Sequence, residues 1–386
     1  MGPGPLEPAQ ADTRALRLTA GRGHLVVGGL DEEHAALVAR DWSRCDPRPA
    51  APEDKADLSW SGGDAQAWER FHEELVYRIT ARTIDSARGS HLMFHGAVLA
   101  DQRTGAGIVL AAASGTGKTT ATRRLGPHYA YLTDETAILD PEDLSVTPYP
   151  KPLSLLGPDG ARPKHQAGPE ELGLGPTRPA QIRAVAVLDR VRDPQGQVPA
   201  RAERMSLVDA LAVLVPQTSS LARLPRGLVA LCRTLDRLGG ARRLVYAESE
   251  DLRPVVDGLL AEEPQPVEPA WEPLAEYELT ASLEDPEAPE APTASGPVLR
   301  RSGADCGIEL PDGRLVLLAH EQLVILDGLG PALWSLLDTP RSVDGLLAEL
   351  EAWAPLPEGA RASVEAALDA LAGERLVTTE DAAPGS

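Results

Sequence analysis

The sequence has 386 residues, 42% of them hydrophobic, which suffices for about two or three domains with packed cores. No apolar run reaches the roughly 18 residues of a membrane helix, and the N-terminus lacks a signal-peptide pattern, so no membrane association is expected. The net charge of −21 argues against binding to nucleic acid. The three cysteines are far apart, which predicts reduced thiols in a cytoplasmic protein and no metal framework.

The N-terminal quarter of the chain divides into two parts. Residues 1–12 are rich in Pro and Gly and are predicted to be disordered. Residues 13–90 are predicted to form an α/β region, because residues 23–27 have the apolar pattern of a strand and residues 65–84 have helical periodicity. We expect this region to pack on the part of the chain that follows it.

Residues 91–263 alternate between short β-forming runs and helical stretches. The predicted strands are residues 97–100, 107–112, 129–132, 184–188 and 243–247. This alternation is typical of a sheet that is flanked by helices. The sequence therefore predicts an α/β domain over residues 91–263.

A glycine-rich loop follows the buried strand predicted at residues 107–111. The loop residues that we expect to surround bound phosphates are Ala112, Ser114, Gly115, Thr116, Gly117, Lys118, Thr119 and Thr120. The strand, loop and helix follow one another as a phosphate-binding loop requires. Lys118 would reach the β- and γ-phosphates, and the Thr119 hydroxyl would bind Mg²⁺. The pattern predicts a site for ATP with Mg²⁺, and the alternative is a chance glycine-rich turn before a helix.

Two further motifs flank this loop at suitable distances. Residues 95–99 read His-Gly-Ala-Val-Leu, and residues 131–135 read Tyr-Leu-Thr-Asp-Glu. Together with the loop they resemble the catalytic core of HPr kinase/phosphatase and its relatives. The resemblance implies that Asp134 acts as base toward an acceptor hydroxyl, that Glu135 assists the metal, and that His95 lies near the γ-phosphate. It implies a P-loop kinase domain of the HPr-kinase type.

Simpler interpretations of these residues are open. Asp134 and Glu135 could form only a β-turn between two strands, and His95 could be a hydrogen-bonded core histidine. Lys151, one of only four lysines among 37 basic residues, could reach phosphate or lie on the surface. Arg201 and Arg204 are the arginines considered for the transferred phosphoryl group.

The loop also departs from the HPr kinase pattern. Thr120 stands where HPr kinases have Glu, and no downstream Gly-Ile-Gly signature is present. That signature belongs to the phosphatase activity and to oligomer contacts in the family. HPr itself is therefore not the expected substrate, and a homo-oligomer is left open.

Residues 264–297 form an acidic, proline-rich segment that is predicted to be a linker. Residues 298–380 follow as a small domain. A hairpin over residues 307–318, a strand at 323–326 and three short helices are predicted there. Three strands followed by three helices predict a winged-helix module.

The last domain resembles the PqqD family, the peptide-recognition elements of ribosomally made, modified peptides. The resemblance lies in residues 323–327, 332–337, 341–347 and 370–377. It implies that a leader peptide adds beside the third strand and packs on the third helix. The implied contact residues are Leu323, Val324, Ile325, Leu326, Val364, Leu368 and Leu371. The alternative is that these residues form the core of the domain, and DNA binding is disfavoured by the acidity.

The two resemblances together predict an ATP-dependent kinase that phosphorylates a Ser or Thr hydroxyl of a precursor peptide bound through its leader. Neither nucleic acid nor membrane is an expected partner. One alternative is a leader-binding adaptor whose nucleotide site gates assembly without phosphotransfer. Another is a kinase of a small molecule such as free serine.

Overall fold

The computed structural model describes residues 13–113, 115–157, 160–192, 198–279 and 297–380. The predicted disordered residues 1–12, the loop residue Ser114 and residues 280–296 of the predicted linker lie outside the described residues. The chain divides into two compact units, Met1–Ser219 with Arg237–Val267, and Ser220–Asp236 with Glu268–Ser386. Among the described residues, no helix is both long enough and apolar enough to cross a membrane.

The structure is mixed α/β. Its strands are β1 (Arg14–Ala20), β2 (Gly23–Leu30), β3 (Arg48–Pro49), β4 (Leu58–Ser59), β5 (Leu92–Ala100), β6 (Ala106–Ala111), β7 (Ala130–Thr133), β8 (Thr136–Leu139), β9 (Val146–Thr147), β10 (Leu153–Leu155), β11 (His165–Ala167), β12 (Gln181–Arg190), β13 (Arg201–Arg204), β14 (Arg242–Tyr246), β15 (Glu272–Pro273), β16 (Val298–Arg301), β17 (Cys306–Glu309), β18 (Leu315–Ala319), β19 (Gln322–Leu326) and β20 (Val377–Glu380). Its helices are α1 (Glu32–Asp41), α2 (Ala65–Ala87), α3 (Lys118–Leu125), α4 (Leu207–Leu214), α5 (Gly227–Arg237), α6 (Leu252–Ala261), α7 (Glu276–Leu279), α8 (Gly330–Leu336), α9 (Val343–Trp353) and α10 (Ala360–Gly373).

The N-terminal region of the first unit is a small sheet covered by helices. Its strand order is β3-β1-β2-β4. Helix α2 begins after Asp64, whose side chain accepts a hydrogen bond from the backbone N–H of Ala67 and so caps the first turn. The apolar face of α2 packs with β1, β2 and α1 in one core. The strand and helix expected at residues 23–27 and 65–84 are both present.

The main sheet of the first unit positions two predicted parts of the site. These are the glycine-rich loop at residues 112–120, called the phosphate loop for its predicted role, and the acidic pair Asp134 and Glu135. Its strand order is β13-β14-β12-β6-β5-β8-β9, and β7 also pairs with β5. Strands β6, β12 and β14 are parallel neighbours, and β6 is buried along its whole length, as its continuous apolar sequence predicts. Strands β7 and β8 pair with successive lengths of β5. The turn between β7 and β8 therefore lies beside the middle of β5.

The second unit contains a four-stranded sheet in the order β15-β17-β18-β19, a β16–β20 pair and helices α7 to α10. The three strands and three helices expected after residue 298 are present as β17 to β19 and α8 to α10. Ser342 caps α9 by accepting from the backbone N–H of Gly345, as its position predicts. Sequence periodicity did not reveal β16 and β20. These two strands pair with each other although they lie at opposite ends of residues 298–380.

The predicted linker does not extend over residues 271–279. Strand β15 pairs with β17, and helix α7 follows it. Trp271, Leu274 and Leu279 are buried, the two leucines in the core of the second unit. These apolar side chains lie among Pro and Glu, so the composition of the segment concealed their packing.

The second unit also includes residues 220–236, which were expected to belong to the domain at 91–263. These residues contain all of α5 except its last residue. Helix α5 buries one face, and the indole N–H of Trp271 donates to Asp236 Oδ2 at 2.8 Å. The residues of 13–90, by contrast, share the first unit with the phosphate loop.

Candidate functional site

The phosphate loop runs from the end of β6 to the start of α3. Gly115 and Gly117 have φ angles of +81° and +95°, in the left-handed region that favours glycine. The Thr116 hydroxyl donates to the carbonyl oxygen of Ala113 at 2.6 Å and closes the turn. No side chain of the described residues caps the start of α3. The first N–H groups of the helix can therefore bind an anion.

Lys118 begins α3 and is only 8% exposed. Its Nζ atom has no hydrogen-bond partner among the described residues. Burial lowers the pKa of Lys118 to about 8, and the charges of Glu135 and Asp134 oppose this shift. An ammonium that is buried without a partner is costly unless an anion joins it. The loop and Lys118 thus fit the phosphates of a nucleotide.

The acidic pair forms the turn between β7 and β8. The Thr133 hydroxyl oxygen accepts from the backbone N–H of Glu135 at 3.1 Å and from that of Thr136 at 3.3 Å. The backbone N–H of Gly96 donates to the carbonyl oxygen of Glu135 at 3.1 Å, which ties the turn to β5. The pair is therefore a β-turn, as the simpler interpretation held, but it lies beside His95.

The two acidic side chains of this turn differ in their exposure to solvent. Asp134 is 2% exposed, whereas the Glu135 side chain is 29% exposed. The Nδ1 atom of His95 lies 3.6 Å from Oε1 of Glu135. Burial and then the charge of Lys118 lower the pKa of His95, so its imidazole is neutral at neutral pH. His95 is a half-exposed member of the site and not a core histidine.

Burial tends to raise the pKa of Glu135, but the charges of Lys151, of His95 in the protonated form that it takes in acid, and of Lys118 outweigh burial and lower it. Glu135 is therefore ionised at neutral pH. An ionised carboxylate that solvent can reach is able to accept a proton or bind a cation.

Lys151 is fully buried and holds both carboxylates. Its Nζ atom lies 2.9 Å from Asp134 Oδ1 and 3.5 Å from Glu135 Oε2, and it donates to the carbonyl oxygen of Pro152 at 2.9 Å. Burial lowers its pKa, but the two carboxylates outweigh this effect and raise it. The surface position considered for this residue is wrong, and its three contacts leave no N–H for phosphate. The scarcity of lysine was the only signal in the sequence.

The remaining predicted ligands lie around the loop. Ala112 is buried, Thr119 is half-buried and Thr120 is exposed. Within the described ranges, no three His, Cys, Asp or Glu side chains are grouped to hold a metal ion. The assignment of Mg²⁺ to Thr119 and Glu135 stays a prediction.

Two residues beside the loop were not predicted from the sequence. A Cβ atom placed on Gly117 would lie 3.6 Å from Oη of Tyr246 and 3.9 Å from Cδ of Arg190. Arg190 ends β12 and Tyr246 ends β14, and both strands are parallel to β6. The carboxyl ends of parallel strands meet at one edge, which is the signal that could have identified them. Arg201, by contrast, pairs with Glu203 at 2.7 Å on β13.

The predicted peptide-contact residues of the second unit are mostly core residues. Val324, Leu326, Val364, Leu368 and Leu371 are buried and belong to one apolar cluster. Their burial supports the alternative interpretation, because a side chain packed inside the unit is not available on its surface. Leu323 is half-buried, and Ile325 is 36% exposed.

Strand β19 still offers a backbone edge. It pairs with β18 and is the last strand of the sheet among the described residues. Its outer N–H and C=O groups can therefore pair with an added strand. A cavity of about 410 Å³ elsewhere in this unit is lined by none of the predicted peptide-contact residues.

Comparison with known proteins confirms the C-terminal resemblance. Residues 314–377 match the family model of coenzyme PQQ synthesis protein D (PqqD). The match covers β18, β19 and helices α8 to α10. No curated protein matches the chain.

Among solved structures, the chain is similar to the Hpr(Ser) kinase/phosphatase from Coxiella burnetii. The two share 10% sequence identity over 44% of this chain and 93% of that chain, with a TM-score of 0.21.

Proposed function

We propose that the chain is an ATP-dependent kinase that phosphorylates a Ser or Thr hydroxyl of a ribosomally made precursor peptide. The observation that carries the proposal is the buried Lys118 ammonium, which has no hydrogen-bond partner among the described residues. It stands at the start of a helix, after a loop of left-handed glycines. This combination suits the β- and γ-phosphates of a nucleoside triphosphate.

When bound, Mg·ATP supplies the phosphoryl group and the charge that neutralises it. On the protein side, the Thr119 hydroxyl offers an oxygen ligand of the kind that Mg²⁺ prefers. Mg²⁺ in kinases is held by one or two protein oxygens together with substrate phosphates, so a larger cluster of acidic residues is not required. Lys118 would hold the phosphates in place.

The carboxylate that accepts the hydroxyl proton is best assigned to Glu135. The resemblance gives this role to Asp134, but Asp134 Oδ1 accepts from Lys151 and lies 3.1 Å from the Tyr131 hydroxyl. Asp134 is also nearly inaccessible, whereas Glu135 is partly exposed and lies next to the neutral His95. A general base must come within hydrogen-bond reach of the proton that it removes. We therefore propose Glu135 as the base and Asp134 as its buried support.

The acceptor is proposed to be a peptide because of the second unit. Residues 314–377 match the PqqD family, and β19 presents an open edge with the exposed side chain of Ile325. We propose that a leader peptide adds to this edge of a winged-helix module. Because both units belong to one chain, binding of the leader would raise the local concentration of the core peptide.

Phosphotransfer can be tested by incubating the protein with Mg·ATP and the precursor peptide encoded near it, followed by mass spectrometry of the peptide. The expected result is one added phosphoryl group, which disappears in the Lys118→Met variant. A variant without residues 298–386 should lose activity on the full precursor. If that variant instead phosphorylates free serine as fast as the full chain does, the small-molecule alternative is correct. If a folded protein binds both partners and adds no phosphoryl group, the kinase proposal is wrong.

A further inference from the structure

Two lysines and two carboxylates meet at the proposed active site. Lys118 and Lys151 are both buried, and Asp134 and Glu135 are within electrostatic reach of each of them. The charge of Lys164 also acts on Lys118, that of Lys118 acts on His95, and Tyr131 contacts Asp134. Two ammonium groups therefore compete for the same pair of acids.

The two lysines differ in their hydrogen-bond partners. Lys151 lies 2.9 Å from Asp134 and 3.5 Å from Glu135, and its remaining N–H donates to Pro152. An ammonium has three N–H donors, so all three are engaged. The Nζ atom of Lys118 has no hydrogen-bond partner in the part of the chain that the structure describes.

A buried ammonium gains by pairing with any carboxylate that is free to reach it. We infer that Lys151 is a positioning residue: by holding Asp134 and Glu135, it keeps the Lys118 ammonium unpaired and available for the phosphates of a nucleotide. The inference rests on the proposed function, because it assigns phosphate binding to Lys118. It adds that the empty site is prepared by a second lysine outside the phosphate loop.

The direct test is a crystal structure of the nucleotide-free Lys151→Met variant. Methionine has a similar length to lysine but no charge, so both carboxylates are released. The expected result is that Lys118 Nζ moves to about 3 Å from a carboxylate oxygen of Asp134 or Glu135. If Lys118 is still unpaired in the variant, the inference is wrong.

A second test measures binding of ADP without Mg²⁺ by calorimetry. Lys151→Met should weaken ADP binding by about 10- to 100-fold, the factor that one charge-assisted hydrogen bond is worth. Adding Asp134→Asn and Glu135→Gln to this variant should restore the affinity, because no carboxylate remains to capture Lys118. The triple variant is not expected to transfer phosphate. Lys55→Met, the same change at an exposed lysine, should leave ADP binding unchanged.

Restored ADP affinity in the triple variant would show that Lys151 acts by positioning the two carboxylates. If Lys151 had only a structural role, the triple variant would bind ADP as weakly as Lys151→Met does. If Lys151→Met does not fold, the triple variant carries the test, since it removes the three charges together. Weak ADP binding by a folded triple variant would overturn the inference. If the unaltered protein binds no ADP, the nucleotide site is wrong, and the Lys151→Met structure still decides whether Lys151 keeps Lys118 unpaired.

Discussion

The phosphate-loop region and the second unit differ in where their functional candidates lie. In the first unit, the candidates are charged side chains that are buried, such as Lys118, Lys151 and Asp134. In the second unit, most side chains proposed for peptide contact belong to an apolar core, and what faces outward is the edge of β19 with Ile325. One region offers particular side chains, and the other offers a backbone edge.

This difference predicts how each region responds to substitution. Burial strengthens electrostatic interactions, so changing the charge of a single side chain in the first unit should strongly alter the rate of phosphotransfer. Strand addition depends on backbone hydrogen bonds, so single side-chain changes at β19 should alter peptide affinity moderately.

The largest effect is expected from Glu135→Gln. Loss of a general base costs about 10²- to 10⁴-fold in rate, so kcat for phosphotransfer should fall by this factor while the fold is retained. The matched change Asp134→Asn tests the assignment of roles. A larger loss of kcat in Asp134→Asn than in Glu135→Gln, measured in the same assay, would return the base to Asp134.

Lys118→Met should reduce kcat/KM for phosphotransfer by about 10²- to 10³-fold, the usual cost of removing one preorganised donor to developing charge. Because Lys118 Nζ has no hydrogen-bond partner among the described residues, the substitution removes a buried charge without breaking such a bond. Thermal stability should therefore be equal to or higher than that of the unaltered protein. A marked loss of thermal stability in this variant would show that Lys118 is a structural residue.

Ile325→Glu should weaken binding of the leader peptide by about tenfold, because a charged side chain would replace an apolar one beside the side chains of the added strand. Fluorescence anisotropy with a labelled leader gives the affinity, and the KM for the precursor should rise while kcat is unchanged. Leu329→Glu is the control, since Leu329 is equally exposed, at 36%, but lies outside β19. Equal losses of leader affinity in the two variants would show that β19 is not the docking edge.

Much of the proposed nucleotide site could be predicted from sequence because the proposed chemistry requires particular residue types. Gly115 and Gly117 have the left-handed backbone that the loop needs, and Lys118 begins a helix. The position of the acidic turn beside His95 was implied only by the family resemblance and not by the residue pattern, since it depends on β7 and β8 sharing β5.

The role of Lys151 was not visible for a related reason. It follows β9 in a proline-rich segment, and only the folded sheet brings it to Asp134. For the predicted peptide-contact residues the error was the reverse, because most of the side chains predicted to bind peptide are core residues. An apolar pattern such as Val364, Leu368 and Leu371 is the same for a core face and for a binding face, so pattern alone does not distinguish the two.

A further prediction concerns the stability of the first unit in acid. His72 on α2 is buried and accepts a hydrogen bond from the indole N–H of Trp42 at 2.8 Å. Burial, and then the charges of His165 and Arg40, lower its pKa from 6.5 to about 3. Between these values the unfolded chain binds a proton at His72 and the folded chain does not. The stability contributed by this residue is therefore lost as the pH falls below about 6.5.

One pH unit in this window corresponds to about 1.4 kcal/mol, so at pH 5 the group should cost the first unit about 2 kcal/mol. His72→Gln keeps an acceptor for Trp42 and removes the titration. Urea unfolding followed by hydrogen exchange of α2 should give a free energy of unfolding that falls less in the variant than in the unaltered protein between pH 7 and pH 5. All other groups contribute equally to both proteins, so equal losses would mean that His72 takes up its proton in the folded state. Among the described residues of the second unit no His is buried, so hydrogen exchange of α10 should show no difference between the two proteins.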